Sequence, residues 1–168
     1  VNDGVLRWLQ RIAQLAAEAE GRLQRGASLT KYCSGVIGVK KHARSVFLNE
    51  AGDALCWGPE GGDRSDGKKV KALPIETFLS VEKGAAGVAA VKGVDELCLH
   101  VSSTSRELDI EFPTGAARDA WVRDLYCVCY SRSLKELQRS VGAQMAKQLS
   151  TPKVALRKAV ANSERKLA

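Results

Sequence analysis

The sequence predicts a mainly β domain with a helix at each end: seven short antiparallel strands that curl on themselves, closed by a C-terminal helix. Three observations predict it. Short runs with alternating apolar and polar residues fill positions 26–112, the pattern of half-buried strands. Glycine-bearing turns separate those runs. An amphipathic helical period starts directly after the last run, and another precedes the first. Antiparallel strands with one apolar face must curl or stack to bury it, and a helix placed after the last strand can plug an open end.

Residues 4–25 read as the first helix, with Asn2 and Asp3 as candidate caps. Val5, Trp8, Leu9, Ile12, Leu15, Ala16, Ala19 and Leu23 recur at three- and four-residue spacing and form one apolar stripe. We expect it to pack on the domain that follows; self-association and contact with a membrane surface are the alternatives. Strand-like runs then cover 28–33, 44–49, 54–57, 70–73, 78–83, 96–101 and 107–112. Residues 50–53 join the second and third runs as a hairpin. Residues 58–67 hold four glycines and a proline, and we expect a mobile loop there. Residues 84–93 form a second loose loop. Pro113-Thr114 opens a helix to about Ser131, with Ala117, Ala120, Trp121, Leu125, Val128 and Cys129 buried and Arg118, Asp119, Arg123 and Asp124 on the wet side. A separate helical stretch is expected over 134–149. Ser150-Thr151-Pro152 then reads as a fresh cap before a small, basic tail. The domain plan is therefore an N-terminal helix over 1–25, the strand domain over 26–131 and a helical extension over 132–168.

The 168 residues carry a net charge of +7, which favours an anionic partner, a membrane surface or nucleic acid. Aromatic residues make up only 5% and no recognised nucleic-acid motif accompanies the basic residues, so nucleic acid is not expected. No run reaches the 18 or so apolar residues of a membrane span. The start, with Asp3 and Arg7, is not a signal peptide. The sequence begins at Val1 rather than Met, so a preceding segment is expected, and a lipid anchor would be carried there. Cys33, Cys56, Cys98, Cys127 and Cys129 are odd in number and four lie in apolar runs, as in a reduced cytosolic protein. Their spacing is not that of a zinc site, and neither a metal nor a cofactor is expected. His42 and His100 have no Ser or Asp partner identifiable from spacing, and no phosphate-cradling glycine motif occurs. The chain does not read as an enzyme.

Positive charge is biased locally. Between Ala27 and Asn49 stand Lys31, Lys40, Lys41 and Arg44 with no acidic residue. Val36, Ile37 and Val39 lie beside glycines just before Lys40-Lys41, and read as an apolar wedge for a lipid interface with lysines to hold phosphates. The competing reading is a strand end with its valines in the core. Lys68, Lys69 and Lys71 form a second cluster at the fourth strand.

These features together resemble the pleckstrin-homology family, over roughly residues 26–131. Asp119-Ala-Trp-Val-Arg-Asp-Leu125 is similar to the family's closing helix, with Trp121 as its tryptophan. Arg106-Glu-Leu-Asp-Ile-Glu-Phe-Pro113 resembles its last strand. Ala72-Leu-Pro-Ile75 and Phe78-Leu-Ser-Val-Glu-Lys-Gly84 look like its fourth and fifth, and Arg44-Ser-Val-Phe-Leu48 like its second, with Trp57 closing the third. The resemblance implies a seven-stranded bent sandwich capped by the C-terminal helix, with Trp121 as a structural plug. It also implies a headgroup site with Lys31 late in the first strand and Arg44 entering the second. His42 stands where a basic residue is usual, and an imidazole is a weaker phosphate clamp than a lysine or arginine. The implied lipid ligands are Lys31, Lys40, Lys41, His42, Arg44, Lys69 and Lys71, with Val36, Ile37 and Val39 inserting into the membrane. Within the family, a chain that is little more than one domain with helices at both ends is most similar to acylated apicomplexan members. Those sense phosphatidic acid on the cytosolic face of secretory micronemes. The implied function is a peripheral phospholipid-binding module, for phosphatidic acid or another anionic lipid including phosphoinositides, that regulates secretion. The apicomplexan inner-membrane-complex scaffold proteins share the fold, and the alternative is a protein-interaction scaffold in which the strand core and its helices bind another protein and lipid contact is incidental.

Overall fold

A computed structural model describes residues 3–34, 39–85 and 95–166. Helix α1, Asp3–Arg25, ends where Gly26 adopts a φ of 69°. A Cβ at Gly26 would stand 2.5 Å from the Val46 carbonyl oxygen, so the turn out of the helix requires glycine. Seven strands follow: β1 Ala27–Ser34, β2 Val39–Leu48, β3 Ala54–Pro59, β4 Lys71–Pro74, β5 Phe78–Lys83, β6 Cys98–Ser103 and β7 Glu107–Glu111. They form one antiparallel sheet in the order β4-β3-β2-β1-β7-β6-β5. Helix α2, Gly115–Lys166, closes the succession. Two compact units divide the chain, Val1–Ser131 and Arg132–Ala168, with the division inside α2.

Alternation along the strands sends one set of side chains inward. Leu29, Val46, Leu48, Leu55, Trp57, Leu73, Leu99, Val101, Leu108 and Ile110 meet Phe112 and the α2 residues Val122, Leu125 and Val128 in the main core. Trp121 packs at the margin, half-buried, its ring centroid 5.5 Å from that of Phe112. The deep plug is therefore aliphatic, with the tryptophan beside it. Tyr126 ties α2 to the sheet by donating its hydroxyl to Val81 O at 2.7 Å. Lys83 and Arg118 both reach Asp119, at 3.0 and 2.7 Å, and hold its carboxyl below the usual aspartate range.

Helix α1 closes the end of the sheet marked by the β2–β3 hairpin. Gln24 Nε2 donates to Asn49 O and Glu50 O at 3.3 and 3.1 Å, and Ala19 and Leu23 enter the core. Arg64, beyond β3, caps the helix: its guanidinium donates to Gln24 O and Arg25 O at 2.9 and 2.7 Å and lies 4.6 Å from the Phe47 ring centroid. Terminal helix carbonyls lack intrahelical donors, and a cation there also suits the helix dipole.

Several expectations are corrected. Strand β2 begins at Val39, so Lys40, Lys41 and His42 are strand residues paired with Cys33, Tyr32 and Lys31. A polar sequence joins a sheet readily when its neighbour supplies the ladder. Residues 58–67 are held by side chains: Asp63 accepts from the Ser65 amide and hydroxyl, both at 2.8 Å, and Asp66 accepts from the Lys68 amide at 3.0 Å. The α1 stripe is buried only at Ala16, Ala19 and Leu23. Val5, Trp8 and Leu15 are exposed, because the helix runs beyond the hairpin it covers. Helix α2 continues through 132–133 and 150–152, Pro152 included, without the expected breaks. Asp124 leaves the wet side. It is 2% exposed and receives a two-pronged bond from Arg22, Nε to Oδ2 at 2.8 Å and a terminal nitrogen to Oδ1 at 2.9 Å. His100 has a partner across β6 and β7, with Nδ1 2.8 Å from Asp109 Oδ1, and both side chains are buried.

All five cysteines are free. Burial pushes the Cys98 thiol up to about 11, with Glu111 and Asp109 adding to the shift, and raises Cys56 as well. Thiolate is the reactive form. In the native protein at mildly alkaline pH, iodoacetamide should label half-buried Cys33, Cys127 and Cys129 ahead of buried Cys98 and Cys56, with both buried thiols labelled once urea is added. Peptide mass spectrometry reads the order.

Candidate anion-binding pocket

One inner face of the first four strands changes character along its length. In β1, Leu29 gives way to Lys31 and Cys33. In β2, running the opposite way, Leu48 and Val46 give way to Arg44, His42 and Lys40. Register places Leu29 opposite Arg44, Lys31 opposite His42 and Cys33 opposite Lys40. Arg44 pairs in turn with Pro59, and Trp57 with Lys71. Period-two alternation thus carries one face from packed core to a basic rim within two residues of each strand.

At that rim lies a cavity of about 250 Å³ lined by Lys31, Cys33, His42, Arg44, Trp57, Pro59, Lys69 and Lys71. Trp57 is 4% exposed and belongs to both the core and the cavity wall. Lys31 Nζ lies 5.7 Å from its ring centroid, within cation–π range. The same ammonium donates to Tyr32 O at 3.2 Å and meets Cys33 Sγ at 2.8 Å. Arg44 donates only to the neighbouring Ala43 carbonyl, at 3.2 Å. Lys69 pairs with Asp66 at 3.3 Å, within a turn where the Lys69 and Val70 amides donate to Asp66 O. Among the described residues no acidic side chain lines the cavity, and Lys31, Arg44 and Lys71 have no ion-pair partner. Elsewhere in the domain Arg22, Lys41, Lys83 and Arg118 are each paired with a carboxylate.

The structure brings Lys31, His42, Arg44, Lys69 and Lys71 together. Lys40 lies on the same face one step further out, opposite Cys33. Lys41 points to the other face, 5.1 Å from the Tyr32 ring centroid and 3.9 Å from Glu111 Oε2. A hydrogen bond with the Tyr32 hydroxyl, followed by Tyr32 and Glu111 charge, raises its ammonium. The Tyr32 hydroxyl donates to Glu111, and burial raises that phenol. Val39 opens β2 and is exposed; Val36 and Ile37 lie outside the described residues. Trp57, Cys33 and Pro59 were not foreseen as part of the pocket. A tryptophan ending a short strand was visible in the sequence, but only the register shows that it shares a face with Arg44 and Lys71.

No family model matches the sequence, and no curated protein matches it. Solved structures do. The PH domain from PfAPH aligns at 18% identity and a TM-score of 0.50, over 70% of this chain and 93% of that one. Inner Membrane Complex Sub-compartment Protein 1 from Toxoplasma gondii aligns at 15% identity and a TM-score of 0.51, again over 70% and 93%. The PH domain of human TBC1 domain family member 2 aligns at 14% and 0.50, over 64% and 82%. Seven antiparallel strands closed by a helix, and this likeness, give one conclusion: the chain has the pleckstrin-homology fold.

Proposed function

We propose that the chain is a peripheral membrane module whose rim pocket takes the phosphate of an anionic phospholipid, phosphatidic acid ahead of phosphoinositides. One observation carries this reading: Lys31, Arg44 and Lys71 converge on a single cavity without acidic partners among the described residues. Gathering like charges costs energy that a bound anion returns. A phosphomonoester offers a compact dianion and acceptor oxygens for such donors. His42 between Lys31 and Arg44, where a further permanent cation would help to grip several phosphates, favours a single phosphate. No helix among the described residues is long and apolar enough to cross a membrane, and attachment through the pocket requires none. The resemblance of the sequence to acylated apicomplexan members extends the proposal to the cytosolic face of a secretory organelle and to control of secretion.

A second reading, a protein-interaction scaffold, is favoured by the exposed Val5, Trp8 and Leu15 of α1 and by the likeness to the inner-membrane-complex protein. Co-sedimentation with phosphatidylcholine vesicles doped with phosphatidic acid, phosphatidylserine or a phosphoinositide separates the two. The lipid reading expects capture by phosphatidic acid at an anionic fraction where phosphatidylserine captures little. Absence of binding to every anionic vesicle would leave the scaffold.

A further inference from the structure

We infer that the second unit of the chain, Arg132–Ala168, is a lipid contact in its own right: a basic amphipathic helix that lies flat on an anionic bilayer. The inference goes beyond the pocket and does not depend on it. It starts from where the charge sits. Residues 1–131 carry seventeen basic and seventeen acidic side chains, whereas residues 132–168 carry nine basic ones against Glu136 and Glu164 alone. The whole net charge of +7 therefore belongs to the second unit, and the first unit, pocket included, is neutral overall.

Helix α2 runs through this unit to Lys166. Along it Leu134, Met145 and Leu156 recur every eleven residues, with Leu137, Val141 and Leu149 at three- and four-residue steps between them. Eleven residues are close to three helical turns, so these positions share one nearly straight face. By the same count Lys135, Lys153 and Arg157 border that face, and Arg139, Lys147 and Lys158 lie further round. Leu137 is 59% and Val141 45% exposed, apolar surface that the chain itself leaves in water. Three occupants fit a basic amphipathic helix: a second copy, an acidic groove or a lipid interface. A second copy brings two runs of like charge side by side, which costs energy. A grooved protein takes anchors at i, i+3, i+4 and i+7, about two turns, whereas the stripe from 134 to 156 extends roughly 33 Å at 1.5 Å per residue. A flat interface suits a long straight stripe with one sign of charge beside it. Apolar side chains enter the acyl boundary while lysine and arginine stems carry their charges back to the phosphates. No helix among the described residues is long and apolar enough to cross a membrane, so the contact lies in its plane. The worth of each cation grows with the surface potential. The helix therefore acts on bilayers rich in any anionic lipid, and the pocket on sparse phosphatidic acid.

The test follows backbone hydrogen exchange in the whole chain. A helix with so little buried opens readily in water. Adsorption to phosphatidylcholine vesicles rich in phosphatidylserine should slow exchange across 132–166 at least about tenfold. Lys135→Gln/Lys153→Gln/Arg157→Gln keeps good helix formers. It should lower affinity for these vesicles about a hundredfold at low salt, near fivefold for each cation, and less in high salt. Leu137→Ser/Val141→Ser should lower it about tenfold at any salt, since water release from apolar surface is not screened. The melting temperature of the strand domain should not move in either variant, because both apolar positions are exposed. Lys31→Glu/Arg44→Glu should keep the slowed exchange on phosphatidylserine-rich vesicles while it loses sparse phosphatidic acid, which separates the helix from the pocket. Exchange across 132–166 that these vesicles leave unchanged overturns the inference and leaves the pocket reading standing. Slowing by calcium-loaded calmodulin but not by vesicles assigns the helix to an acidic protein. Slowing by raised protein concentration alone assigns it to a second copy, and either result overturns the inference too.

Discussion

Replacing Trp57 with alanine is expected to lower the stability of the domain by about 3–5 kcal/mol, the usual loss for a buried large aromatic. Trp57 is almost fully buried and touches the main core. Since small domains are stable by roughly 5–15 kcal/mol, the variant should unfold at a much lower urea concentration. Trp121→Ala should cost less, because Trp121 is half-buried beside Phe112 and leaves Leu125 and Val128 in place. Trp57→Leu separates the two roles of the residue. It restores much of the apolar volume but removes the ring beneath Lys31 and Arg106. We expect it to recover most of the melting temperature while anion binding stays weakened. Urea unfolding and vesicle binding on the three variants check this order. A Trp57→Ala protein as stable as wild type would mean that Trp57 is not part of the core.

The second large effect is on binding. Changing Lys31 and Arg44 together to glutamate should abolish capture by phosphatidic-acid vesicles while leaving the fold intact. Each cation is worth about 1 kcal/mol near an anionic surface, and reversal replaces that attraction with comparable repulsion. The two sites then amount to about 4 kcal/mol, close to a thousandfold in affinity. Stability should change little, since neither residue has an ion-pair partner to lose among the described residues, and the new carboxylates face the remaining cations Lys69 and Lys71 across the cavity. Lys41→Glu is the matched control. Its ammonium serves Tyr32 and Glu111 on the opposite face, so vesicle binding should fall far less. Equal losses from Lys41→Glu and from the pocket pair would show that the membrane senses overall charge rather than this cavity.

Much of this arrangement is legible in the sequence because it depends on local pattern. The apolar residues of 78–83 and the alternation in 97–101 and 108–112 are local signals, and they mark strands that the structure contains. The basic bias across 27–49 is local too, and five of the seven cations and imidazoles it and the 69–71 cluster suggest meet in one cavity. What was not legible depends on partners distant in the chain. Lys40 to His42 carry no strand signal of their own and join β2 only through pairing with β1. Lys41 shares its neighbours' charge but, by alternation, not their face. Asp124 reads as a surface charge until Arg22, 102 residues away, neutralises it. His100 and Asp109 look like the wet positions of alternating strands, yet that side of β6 and β7 is buried too. Trp57 and Arg106 become neighbours of Lys31 only once sheet order is known.

On the proposed membrane reading, the separation of the two ends of the sheet also bears on how fast the pocket finds a lipid surface. Lys31, Arg44 and Lys71, without ion-pair partners among the described residues, gather at one end, while the opposite end is closed by α1 and the β2–β3 hairpin, with Gln24 bonded to Asn49 O and Glu50 O. On that reading this cluster is drawn toward an anionic membrane ahead of the cations already paired with carboxylates, and a larger share of encounters arrives with the pocket foremost. The gain lies in the association rate, and added salt removes it by shortening the range over which the field acts. Departure is governed instead by the close contacts once made, so ionic strength should change arrival more strongly than residence.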